Sequence, residues 1–293
     1  MLYDISLSIG YEYEVPATGA HHMLRLLPLS LPERQRLVAG SISISPNPDE
    51  LMAFDDFFGH QTSHAILRAP HERLDVKMQA RVAVQHQTTG ADFSPLLDRL
   101  AMDIAETWSL EPHSPHHFIG PSPRLARDAR IEAYARESAK PSLTVRQIAE
   151  ELCTRIHRDF TYDSEATTVD TTPGEAFSSK RGVCQDFAHV MIVALRSLGI
   201  PAGYVSGFLR TIPPPGKERL EGADAMHAWV RVWCGTLTGW LEYDPTNDIP
   251  AGTDHIVVGY GRDYADVAPV IGVLKSYGSH TTVQAVDVIP IAL

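Results

Sequence analysis

Apolar and polar residues alternate along most of the first third of the chain, the two-residue period of strands with one buried face. "LYDISLSIGYEYEV" (2–15) and "SISIS" (41–45) follow it, and "RLDVKMQARVAV" (73–84) puts Leu74, Val76, Met78, Ala80, Val82 and Val84 on one face. Between them "DDFFGHQTSHAIL" predicts a hairpin turning near Gly59. The period lengthens to that of a helix over Ala91–Trp108, and a Pro- and His-rich connector, Ser109–Arg124, follows.

A second unit opens with "SLTVRQIAEELCTRIHRDFTY", where Val145, Ile148, Ala149, Leu152 and Ile156 share a helical face behind Ser142 or Thr144 as N-cap. The polar stretch 163–183 reads as loop, and at Cys184 a helical pattern resumes. Phe187, Val190, Met191, Ala194, Leu195 and Leu198 recur on one face until Gly199 and Pro201 stop it. Three strands follow, "GYVSGFL", "HAWVRVWC" and "GWLEYDP", with Pro213–Pro215 expected in a hairpin loop between the first two. The pattern therefore predicts an α+β chain: a β-rich part over 1–135, then 136–293 with a helix-borne cysteine ahead of an antiparallel meander.

Composition narrows the classes. With 293 residues, 44% of them hydrophobic, the chain can bury a large core. Its net charge of −11 argues against a broad phosphate-binding surface, and hence against nucleic acid as a partner. No run approaches the roughly 18 consecutive apolar residues of a membrane span. The first residues lack the basic and apolar segments of a secretion signal, so a cytoplasmic location is expected. Three cysteines, Cys153, Cys184 and Cys234, are too few and too scattered for a disulfide framework. Cys153 sits beside an apolar stripe and reads as a small buried hydrophobe.

Cys184 is different because of its place. The N–H groups of a first helical turn and a nearby imidazolium both favour thiolate, lowering a cysteine's pKa from about 8.5 to roughly 3.5–7.5. A base and an orienting group are also needed. His227 starts a strand 43 residues on, and Asp244 ends the next strand 17 residues later. That spacing suits a hairpin with the two side by side, the carboxylate holding one imidazole nitrogen and leaving the other to the sulfur. Taken singly, each has an ordinary explanation: a buried thiol, a core histidine, an Asp-Pro turn.

Three stretches, "RGVCQDFAHVMIVALRSLGIPAGYVSGFL", "MHAWVRVW" and "WLEYDPTND", resemble the transglutaminase-like superfamily, whose core is papain-like. The likeness spans roughly residues 140 to 262. "HHMLRLLPL" and "FDDFFGHQTSHAILRAPHERLDVKMQARVAV" resemble the β-sandwich often found ahead of bacterial members. The resemblance implies a Cys184–His227–Asp244 triad and an oxyanion site built from the Cys184 backbone N–H and a second donor, for which Tyr162 and Gln185 are the candidates. It implies thiol acyl transfer on peptide or protein amides, with protease or amidase activity favoured. The alternatives are a protein-glutamine γ-glutamyltransferase with an amine acceptor and a non-catalytic peptide-binding module. An acetyltransferase is disfavoured by the want of a basic pocket for coenzyme phosphates.

No cofactor is expected. His113, His116 and His117 lack companion ligands at metal-site spacing, no acidic loop of the calcium-binding kind occurs, and "GYGRD" (259–263) lacks the helix start of a phosphate loop.

Overall fold

The computed structural model describes residues 1–87, 90–211, 222 and 224–291. The Pro213–Pro215 turn falls outside them. In chain order the elements are β1 (Leu2–Leu24), β2 (Gln35–Ser45), β3 (Glu50–Asp55), β4 (Gln61–Leu67), β5 (His71–Val84) and α1 (Leu97–Glu106). Then come α2 (Ala129–Ser138), α3 (Val145–Asp159), β6 (Thr161–Tyr162), α4 (Pro173–Ser179), β7 (Arg181–Gly182) and α5 (Cys184–Ser197). The remainder are β8 (Ala202–Leu209), β9 (Ala225–Trp233), β10 (Trp240–Asp244), β11 (Ile249–Pro250), β12 (His255–Gly261), α6 (Tyr264–Val267), β13 (Val270–Lys275) and β14 (His280–Ile291).

β1 is long enough to serve two layers. Its first half pairs with β5 and β14, its second with β4 and β13, and register shifts between Glu12 and Ala17 and between Thr18 and His21 mark the bend. Alternate residues Tyr3, Ile5, Leu7 and Ile9 are buried with Leu74, Val76 and Met78, the face predicted for residues 73–84. The predicted hairpin is β3–β4, with Gly59 at φ +80° where an L side chain would be strained.

The second sheet has the order β11-β10-β9-β8-β12 and is curled. Tyr204, Ala228, Val230, Val232 and Tyr243 face α3 and α5 in one core. Phe208, Ile256 and Val258, from β8 and β12, join the core of the N-terminal sheet. The second sheet is thus covered on both faces.

β13 and β14 return to pair along both halves of β1, which would otherwise leave an unpaired edge in each layer. One expectation needs correction: the stretch 163–183 is not all loop. Thr172 caps α4 by accepting from Glu175 N–H, the Glu175 carboxylate accepts from Thr172 N–H, and Pro173 occupies the first helical position, where its missing N–H costs nothing.

Candidate active site

Cys184 is the first residue of α5, and the packing behind it is dense: Phe187, Ala188, Val190, Met191, Ala194 and Leu195 are all buried. The helix start is held by Asp186, whose Oδ2 accepts from Val183 N–H at 2.8 Å and from the Thr167 hydroxyl at 2.6 Å. Burial raises the Asp186 carboxyl, and these two bonds oppose the shift. Asp186 thus anchors the backbone at the helix start and also puts an acidic group in the first turn, where the helix dipole favours it. Gly182 is required beside it, since a Cβ there would press on the Asp186 side chain. Cys184 itself is partly exposed.

His227 lies on β9 opposite Gly207 of β8. Its Nε2 meets Asp244 Oδ2 at 2.8 Å. The Cys184 thiol also acts on this imidazole, favouring its charged form, and with Nε2 committed to Asp244, Nδ1 is the nitrogen left for the sulfur. Burial works against the charged imidazole, yet the bonds to Asp244 and Cys184 outweigh it and lift His227 to about 10. Asp244 is fully buried, and burial alone would raise its carboxyl. The donors around it, His227 and His255 foremost, hold it far below the usual carboxylate range.

The three residues singled out in the sequence thus come together. Trp229 supports them: its ring stacks near that of His227 at a 6.1 Å centroid distance, and its indole N–H donates to Glu242 at 2.6 Å. Glu242 also accepts from Tyr260 and is ion-paired with Arg34 of the N-terminal part. Gly207 makes room, because a Cβ at that point would run into Trp229 and the carbonyl of Ile256.

Of the two oxyanion candidates, Tyr162 sits on β6, hydrogen-bonded in parallel register with Arg181–Gly182 just ahead of the nucleophile. The residue is 59% exposed; burial and then the charge of Cys184 push its phenol up. The Gln185 amide instead donates to Val169 O at 3.1 Å, pinning the 163–172 loop beside the helix start. To serve an oxyanion it must release that carbonyl.

The connector histidines are held apart by separate partners. His113 meets Arg231, His116 bonds Thr107 O and His117 bonds Leu110 O. Among the described residues, the one group with metal-ligand proximity is His227, Asp244 and His255, whose ligand atoms lie within 4.8 Å of one another. Hydrogen bonds already link each of these nitrogens to Asp244. His255, Asn247, Trp229 and Glu242 are the members that sequence reasoning did not reach.

Comparison with known proteins bears on the family and the fold. The family model described as the transglutaminase-like superfamily matches residues 132–245, and that of the bacterial transglutaminase-like N-terminal region matches residues 3–83. An uncharacterized protein of Mycobacterium tuberculosis is 36% identical, covering 98% of this chain and 92% of its own. A Pseudomonas aeruginosa protein-glutamine gamma-glutamyltransferase is 34% identical over 96 residues, 32% of this chain and 14% of that protein. In structure, a Cytophaga hutchinsonii protein provisionally named a cysteine protease superposes with a TM-score of 0.75 at 21% identity, covering all of this chain and 91% of that one. At that identity the likeness speaks for the fold.

Proposed function

Because the chain belongs to the transglutaminase-like superfamily, with that group's bacterial N-terminal region ahead of the core, we propose that it is a cysteine-dependent acyl-transfer enzyme acting on peptide or carboxamide bonds. The observation that supports this most is the His227 imidazole hydrogen-bonded at 2.8 Å to the buried Asp244 carboxylate, with the Cys184 thiol acting on the same ring.

Cys184 Sγ attacks the carbonyl carbon, forming a C–S bond and a tetrahedral oxyanion. The N–H of Cys184 heads the helix and has no intrahelical partner, so it is placed to stabilise that charge, with Tyr162 as the second proposed donor. Collapse breaks the C–N bond; His227 gives its proton to the departing amine, and a thioester remains. His227 then takes a proton from water as the water attacks, and the acid leaves with Sγ restored. Asp244 keeps the imidazole oriented and its charged form favoured throughout.

Hydrolysis is the favoured second step, since the partly exposed Cys184 leaves its thioester within reach of bulk water. Transfer to an amine is the second reading, supported by the 96-residue similarity to the Pseudomonas aeruginosa gamma-glutamyltransferase.

Acyl-enzyme trapping on a library of peptides and carboxamides tests the proposal. Mass spectrometry should find the adduct on Cys184 in the wild type and none in Cys184→Ala. Full turnover by Cys184→Ala would end the proposal. Repeating the reaction with a primary amine separates the two second steps by product mass.

A further inference from the structure

Asp244 receives more hydrogen bonds than are needed to orient one imidazole. Oδ1 accepts from the backbone N–H groups of Thr246 (2.9 Å) and Asn247 (3.2 Å). Oδ2 accepts from His227 Nε2 (2.8 Å), Asn247 Nδ2 (2.6 Å) and His255 Nε2 (3.1 Å). The Thr246 and Asn247 bonds come from the turn that follows Asp244, and the His227 bond is the pairing already described. The last bond is of another kind, because His255 begins β12, at the far end of the sheet order from β10. The curl of the sheet brings the two together.

The protonation of His255 can be read from its second nitrogen. Nδ1 accepts the Gly252 N–H at 3.2 Å, so the ring's proton is on Nε2, directed at Asp244. The side chain is 2% exposed, and Trp229 meets it edge-on at a 5.1 Å centroid distance while also stacking near His227, whose ring centroid is 6.2 Å from that of His255. One indole therefore keeps both imidazoles in line with the same carboxylate oxygen. A buried carboxylate that has lost a charge-assisted donor loses both solvation and direction.

We propose that His255 is a fourth, positioning member of the site: a neutral imidazole whose Nε2–H holds the Asp244 carboxylate facing His227. The proposal rests on the reading of Cys184, His227 and Asp244 as the reacting set. His255 does not touch the substrate; it acts through Asp244. It also explains the tight turn at Gly252, whose N–H selects the tautomer.

Two substitutions separate a hydrogen-bond donor from a space filler. His255→Gln places an amide N–H where Nε2 was, keeping the bond to Asp244. His255→Asn keeps an acceptor near the Gly252 N–H but cannot reach Asp244. The readout is the rate of Cys184 alkylation by iodoacetamide at about pH 6, where an unassisted thiol with pKa near 8.5 is almost wholly protonated.

His255→Gln should react within about threefold of wild type, and His255→Asn about tenfold or more slowly, at equal folded fraction by circular dichroism. A wild-type rate in His255→Asn, or equal slowing in both variants, would overturn the proposal. A measurement on the unaltered protein guards against misfolded variants. The ¹⁵N shifts of the His255 ring should report a neutral, Nε2-protonated tautomer at neutral pH, and an Nδ1-protonated or charged ring would overturn it equally. Failure of the underlying reading is recognised separately, by adduct formation away from Cys184 in the trapping experiment.

Discussion

The charge on His227 depends on one buried carboxylate. Burial opposes a charged imidazole, and the bonds to Asp244 and Cys184 reverse the balance, raising the group to about 10. A raised value means that the stabilisation is complete below the ordinary histidine value near 6.5 and is lost as pH climbs through the folded value. Wild-type stability should therefore decline from about pH 6.5 to 10, and kcat/KM should show an alkaline limb near the upper end. Asp244→Asn removes the carboxylate, so that limb should move down by at least about one pH unit and kcat/KM at neutral pH should fall about tenfold or more. Thermal melts and a pH–rate profile check both. An unmoved limb would mean that Asp244 does not set the charge of His227. The approach of His227 to Asp244 was legible in the sequence, because a strand-start histidine and a strand-end aspartate 17 residues apart suit one hairpin. His255 was not, because its role depends on a cross-sheet approach from β12 that no local pattern encodes.

At the scale of the element, the site depends on two strands whose backbones allow a large ring between them. Gly207 on β8 faces His227 across the ladder, and Trp229 lies where its Cβ would be. Gly207→Ala should displace the indole or open β8 from β12, costing about 1–3 kcal/mol, as overpacking of a filled core does. Catalysis should fall further than the lost folded fraction explains, since the displaced ring is the one aligning both histidines. Chemical denaturation combined with the alkylation rate measures the two effects; a fully active, equally stable variant would refute this account of the glycine. Helices α3 and α5 were evident from their apolar period, and Val145, Ile148, Ala149, Leu152 and Ile156 are indeed all buried. α4 was overlooked because seven residues contain too little period to register. Its signal was chemical instead: "TPGE" carries both halves of a capping box and a proline at the first position.

Across the whole molecule, the N-terminal part is built into the site's support. Gln35 bridges Leu29 O, Val257 O and Val257 N–H, and Arg34 beside it pairs with Glu242, which in turn holds Trp229 and Tyr260. The closing of β13 and β14 onto β1 joins the two ends of the chain in one sheet. Such pairings, more than 200 residues apart, lie beyond what alternation in a single stretch can specify, because alternation identifies a strand and its buried face but not its partner. The Arg34–Glu242 link permits a direct test of this dependence. Burial alone would raise the Glu242 carboxyl, and Arg34 outweighs it, holding the group below the ordinary value. Arg34→Met leaves that carboxylate buried without its cation and should destabilise the protein by about 3 kcal/mol, the lower end for breaking such a pair. Alkylation of Cys184 should slow as Trp229 loosens. Adding Glu242→Gln removes the stranded charge while leaving an oxygen for the indole N–H, so the double variant should recover most of the lost stability. If the double variant proves no more stable than Arg34→Met alone, the penalty is not the uncompensated carboxylate, and the N-terminal part supports the site by packing rather than by charge.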